Sequence, residues 1–196
     1  MNYGQLRAAV TDWLHRADLD TSAITFVQLA ESRLKRELRL NRLTASATLT
    51  ILAGQSSVAL PTDYLQGRSV VGTLEWDFKS PDILAQMAAA ASTEYVYSIY
   101  GGNLVVPYVP AANVTVKVIY YQALVALAND SDTNWILTEH PGVYLWAALS
   151  EASTYTVDNG QTATFEGKFR DVMETLRQAD EQSSHFAAAL SLDYVV

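Results

Sequence analysis

The chain has 196 residues, 49% of them hydrophobic and 17% charged, which is enough apolar surface for a buried core and too much for a disordered protein. It contains no cysteine, which excludes disulfides, thiolate metal sites and a cysteine nucleophile. A formal charge of −8 and only three histidines turn the reading away from a protein that grips nucleic-acid phosphates, and from metal or acid–base chemistry.

The opening Met1 to Trp13 has polar residues where a signal peptide needs an unbroken apolar stretch, and no run approaches the ~20 apolar residues that span a bilayer. The expectation is a soluble protein or part of a soluble assembly, with no membrane partner. Tyr3 to Arg16 reads as a short amphipathic helix, with Leu6, Val10, Trp13 and Leu14 on one face. After a polar break at Asp18 to Ser22, a second helix runs from about Ser22 to Leu40 with Ile24, Val27, Leu34 and Leu38 aligned. Glu31 falls on that apolar face, either as a semi-buried paired carboxylate or at the edge of the stripe.

The middle of the chain reads as strands. Thr44 to Leu52 and Ser56 to Leu60 flank a turn and predict a hairpin, and Arg68 to Phe78 reads as one further strand. Ser80-Pro81-Asp82 opens a short helix that ends in an alanine run. Tyr95 to Tyr100 and Leu104 to Val106 predict a second hairpin around Gly101-Gly102, and Val114 to Tyr121 alternates strongly. After a polar loop, Thr138 is read as a cap for a helix from about Pro141 to Tyr155, and a long last helix spans about Thr162 to Leu190. The predicted class is α+β: a helical bundle of about four main helices, formed by residues 1–42 and 126–190, with an inserted small antiparallel β unit over 43–125 carrying a short helix, and a C-terminal tail over 191–196.

Motifs for chemistry are missing. There is no Gly-x-Ser-x-Gly elbow and no phosphate loop. His15, His140 and His185 sit in separate predicted elements, and His15 near Asp12 and Asp18 is better read as a helix-end residue than as a dyad. Asp130-x-Asp132-x-Asn134 matches the opening of a calcium loop, but Trp135 and Pro141 stand where glycine and glutamate are needed. The sequence reading therefore names no catalytic residues, no cofactor and no metal.

Charge is distributed unevenly. Residues 1–43 hold seven Arg/Lys against five Asp/Glu, whereas residues 128–196 hold three against eleven. Arg33, Lys35, Arg36, Arg39 and Arg42 lie largely opposite the apolar face of the second helix, and Glu166, Asp171, Glu174, Asp180 and Glu181 lie on the last one. Either each set is a solvated face, or the basic side of one copy meets the acidic side of the next in a head-to-tail contact.

The order of segments resembles the head–tail adaptor (connector) proteins of tailed bacteriophages. The stretches that carry the resemblance are YGQLRAAVTDWLHRADL (3–19), FVQLAESRLKRELR (26–39), ATLTILAGQSSVALPTDYLQGRSV (47–70), and YSIYGGNLVVPYVPAANVTVKVIYY (97–121) running on to TNWILTEHPGVYLWAALSEA (133–152). The resemblance implies a non-enzymatic virion protein at the head–tail junction, made in the bacterial cytoplasm. It implies a ring, typically of twelve copies, with the portal protein above, tail or nozzle proteins below, and DNA passing through without specific binding. The alternative is another neck or tail-completion connector. Under this reading the five basic residues of the second helix are intersubunit contacts. The five acidic ones line the channel or the subunit boundary. The apolar tail, Leu190, Leu192, Tyr194, Val195 and Val196, docks on the portal or a neighbour, or folds back on its own bundle.

Overall fold

The computed structural model describes the backbone of residues 1–192 and the side chains of residues 1–183. The chain forms two compact units: Met1–Arg42 with the chain from Leu124 onward, and Leu43–Ala123.

The first unit is helical: α1 (Tyr3–Leu14), α2 (Asp20–Glu37), α4 (Trp135–Glu139), α5 (Pro141–Tyr155) and α6 (Asn159–Leu192). α1 starts with a capping box, in which the Gln5 N–H donates to Asn2 Oδ1 (2.9 Å) and the Asn2 N–H to Gln5 Oε1 (3.0 Å). α2 buries Ala23, Phe26, Val27, Ala30 and Leu34, a stripe at helical spacing. α6 buries Phe165, Phe169, Met173 and Leu176 in the same way. α5 has Pro141 in its first turn and is buried nearly all round, because it packs against α1, α2, α4 and α6. Its alanines and serines (Ala147, Ala148, Ser150, Ala152, Ser153) let those neighbours approach closely.

The acidic loop before α4 serves this packing. The Tyr3 N–H donates to the Asp132 carbonyl (2.9 Å) and the Gly4 N–H to the Asp130 carbonyl (3.0 Å), so the loop takes up free N–H groups of α1. A Cβ at Gly4 would stand 3.1 Å from Asp130 Cβ, which is why the smallest residue sits there. The Asp132 carboxylate accepts the N–H groups of Ala128 (2.9 Å) and Asn129 (2.7 Å), and Asn134 Oδ1 caps α4 by accepting from the Leu137 N–H (3.0 Å). The calcium-like triplet is thus a docking loop and a helix cap. Thr138, expected to cap α5, lies inside α4.

The second unit holds β1 (Thr44–Ile51), β2 (Ser57–Ala59), β3 (Tyr64–Val71), β4 (Glu75–Phe78), α3 (Pro81–Ala89), β5 (Val96–Tyr100), β6 (Asn103–Val105) and β7 (Val114–Gln122). The strands form one sheet in the order β1-β7-β3-β4-β5-β6-β2. All neighbours are antiparallel except β4 and β5, which run parallel. The two ends of the order, β1 and β2, come close, so the sheet is a nearly closed barrel. Two register shifts between β3 and β7 fall where the sheet must curl. Inside are Ile51, Val70, Trp76, Tyr97, Leu104, Val106, Val116, Val118 and Tyr120.

The expected architecture needs correction. The class is α+β, but among the described residues there are six helices and a seven-stranded, nearly closed sheet, not about four main helices with a small antiparallel β unit. Two local causes account for the difference. The stretch 68–78 breaks into two strands, because the Gly72 N–H bonds the Leu74 carbonyl (2.9 Å) in a tight turn. The turn after β1 does not fold β2 back onto β1. It is tied instead to the loop before β7, with the Gly54 N–H on the Pro110 carbonyl and the Ala53 N–H on Asn113 Oδ1 (both 2.9 Å), and β2 pairs with β6. The Tyr95–Val106 hairpin does form as β5 and β6, with Gly101 and Gly102 at φ 59° and 75°, as a two-residue turn requires.

Candidate functional site

The charged residues of α2 and α6 divide into two groups. Arg33 points inward: its Nη1 and Nη2 donate to the two carboxylate oxygens of Glu166 (2.7 Å each) and its Nε to Glu37 Oε1 (2.9 Å). The guanidinium lies 4.1 Å from the centre of the Phe169 ring. Glu166 also accepts from Arg170 Nε (3.0 Å) and Ser150 Oγ (3.2 Å). The Arg33 guanidinium, bonded to both oxygens, holds the Glu166 carboxyl down at about 2. A fork-to-fork pair of this kind, with the two side chains only 16% and 22% exposed, is the strong form of an ion pair.

Arg42 forks onto Glu139 and lies 4.4 Å from the Trp135 ring centre, and its pairing keeps the Glu139 carboxyl below the usual range. Asp180 accepts from the N–H groups of Asn41 (2.7 Å) and Arg42 (3.2 Å) and so holds the turn that ends the first helical segment. Arg36 Nη1 reaches Ser32 Oγ (3.2 Å), and Arg39 Nη1 reaches the carbonyls of Lys35 (3.1 Å) and Leu38 (2.6 Å). Lys35, Arg36, Arg39, Asp171, Glu174 and Glu181 are all exposed. The structure thus brings Arg33 to Glu166, and Asp180 to the backbone at Arg42, within one chain, and leaves three cations and three anions facing outward. Of the predicted docking tail, Leu190 and Leu192 fall in the helical backbone, and the side chains of Leu190, Leu192, Tyr194, Val195 and Val196 lie outside the described residues.

Glu31 is a second half-buried acid. Its Oε1 accepts the Leu127 N–H (3.0 Å) and its carboxylate interacts with the Tyr144 hydroxyl, which in turn accepts from Asn134 Nδ2 (2.7 Å). Burial pushes the Glu31 carboxyl up, and burial likewise raises the Tyr144 phenol. The network joins α2, α5 and the segment leading into α4.

Asp158-Asn159-Gly160 reads as a turn in the sequence; in the structure the turn falls at residues 156–157, α6 has begun by Asn159, and the strained residue at the turn carried no sequence signal of its own. The Val157 N–H bonds the Thr154 carbonyl (3.2 Å) and the Asp158 N–H the Ser153 carbonyl (3.0 Å), a Schellman ending that places residue 157 in the left-handed region. Val157 sits there at φ 58°, a conformation that costs a β-branched residue about 1–2 kcal/mol. Its side chain is 78% exposed, and Tyr155 beside it is 63% exposed. The only signal in the sequence was a valine immediately before Asp158-Asn159-Gly160, a turn that would accept glycine more readily.

Among the described residues no three His, Asp or Glu side chains group as metal ligands, and no helix is long and apolar enough to cross a membrane. What stands out is outward charge and a set of exposed apolar side chains. The family model described as SU10 adaptor protein matches residues 1–191, and the chain belongs to this family of phage head–tail adaptors. No curated protein matches the chain.

Proposed function

We propose that this structural adaptor forms a ring below the portal, joins the capsid to the tail, and lines the channel through which DNA passes. The observation that carries the reading is the sorting of charge in the helical unit. Lys35 and Arg36 are exposed on the last turn of α2 and Arg39 just beyond it, while α6 exposes Asp171, Glu174 and Glu181 alongside Lys168, Arg170 and Arg177. Exposed charges of both signs suit a heterologous contact between copies, the kind that closes into rings. Family membership supports the position at the virion neck and contacts with head and tail components. A count of twelve follows from matching the portal. A net charge of −8 per copy, repeated round a ring, lets phosphates slide without sticking. The tail from Leu190 docks on the portal or on a neighbouring copy. The protein works without catalysis or cofactor.

Native mass spectrometry of the protein, alone and mixed with the portal protein of the same phage, tests this. Uptake of a fixed number of copies per portal is expected; a monomer that never associates overturns the proposal. Reversing the charge of Asp171 and Glu174 then separates two roles for the acidic face. Intact rings with slowed DNA passage assign it to the channel wall, and failed assembly assigns it to the subunit boundary.

A further inference from the structure

We infer that the ring is built by a knob and a hollow at opposite ends of the helical unit, the turn at Tyr155 and Val157 of one copy seating in a hollow beside Trp135 of the next. The inference rests on the proposed ring and specifies its contact.

The knob is strained and exposed. Val157 occupies the position at the end of α5 where glycine would relieve a positive φ, and among the described residues it stays largely exposed. A strained apolar residue left in water at the tip of a turn marks a group held for another molecule. Tyr155 stands beside it, its ring against Phe26 at 5.4 Å and its face open. The surround is acidic: Asp158 and Asp20 are exposed, Glu151 is half-buried, and Asp18 is paired with Arg16 at 2.7 Å.

The hollow lies at the other end of α2, whose 18 residues span ~27 Å. It measures about 510 Å³ and is lined by Leu40, Arg42, Trp135, His140, Leu176 and Ala179, among others. Its apolar wall suits a tyrosine and a valine. On the α2 side exposed Lys35 and Arg36 stand on the turn that leads to Leu40 and match the acidic surround of the knob; the two acids at the hollow are already engaged, Asp180, part of its lining, by backbone N–H groups and Glu139 by Arg42. Knob and hollow belong to one unit and are different surfaces, so the contact is head-to-tail and a second copy is its occupant.

The absence of cysteine permits a clean test. Val157→Cys and Ala179→Cys chains are prepared separately, mixed under conditions where native mass spectrometry shows wild-type oligomers, alone or on the portal, and treated with a short bis-maleimide. A 157–179 cross-linked dimer that forms only in the mixture is expected. Oligomers without that cross-link, or a Val157→Cys chain that cross-links to itself, overturn the contact while leaving the ring standing. Absence of any wild-type oligomer overturns the ring, and this contact with it. Val157→Gly gives an independent reading: relief of strain leaves the melting temperature unchanged or raised, while the assembled fraction at a fixed concentration falls at least tenfold. Assembly equal to wild type refutes the knob.

Discussion

Replacing Glu166 with glutamine is expected to destabilise the helical unit by about 1.5–2 kcal/mol at neutral pH. The carboxyl moves from 4.5, its value in the unfolded chain, to about 2 in the folded one. At ~1.4 kcal/mol per pH unit that difference is worth at most about 3.4 kcal/mol. Water reaches both partners, since Arg33 and Glu166 remain 16% and 22% exposed, and screening brings the figure down to the expected range. The sign follows from the direction of the shift. A depressed acid contributes its full stabilisation above the unfolded value, and the contribution is lost as pH falls from there towards 2. The gap between wild type and Glu166→Gln should therefore be widest near pH 7 and close between about pH 4.5 and 2. Urea unfolding followed by tryptophan fluorescence suits the measurement, because Trp13, Trp135 and Trp146 all report on the helical unit and only Trp76 lies in the barrel. A gap under about 0.5 kcal/mol at pH 7, or one that does not change between pH 7 and 3, would show that the fork between α2 and α6 does not stabilise the fold in this way.

Three further outcomes are expected. Glu31 is the opposite case, a carboxyl whose pKa burial has raised, so its charge costs stability as pH rises above the unfolded value. Glu31→Gln keeps an acceptor for the Leu127 N–H and should leave stability at pH 7 equal or higher, whereas Glu31→Leu strands that N–H and should cost about 1–3 kcal/mol; urea titrations of both variants check the order. Leu104→Ala empties part of the barrel core and should cost about 2–5 kcal/mol, seen by hydrogen exchange as faster opening in residues 43–123 with the helices unchanged. Millimolar calcium should leave the melting temperature where it is, since the Asp132 carboxylate is occupied by two backbone N–H groups; a rise that grows with calcium concentration would contradict that assignment.

The helices were legible because their signals are local. The apolar spacing of α2 and α6 survives in the structure as buried stripes, and Glu31 was visible as an acid on an apolar face. Strand pairing was less legible. The run 44–60 looks like a hairpin at short range, but β2 finds its partner in β6, nearly fifty residues on, through turn contacts to Pro110 and Asn113 that have no local signature. The parallel pairing of β4 with β5 depends likewise on barrel closure. The charge asymmetry was legible as composition, but composition could not say that Arg33 would be spent on Glu166 of its own chain while Arg36 faced out. Val157 was invisible because strain belongs to a backbone angle, and a valine near a turn announces none.

The insertion of one unit into the other sets an order of events during synthesis. The barrel is one continuous stretch, 43–123, whose strands have all emerged once β7 has been made. The helical unit is split, and its first 42 residues emerge without their partners: the N–H groups of α1 wait for the carbonyls of Asp130 and Asp132, Arg33 waits for Glu166, and the buried stripe of α2 waits for α5. At ribosomal rates of ~5–20 residues per second, making the 81 residues of the barrel takes roughly 4–16 s. For that interval Phe26, Val27 and Leu34 have only α1 to pack against, and the nascent chain carries an amphipathic helix whose main partner, α5, has yet to be made.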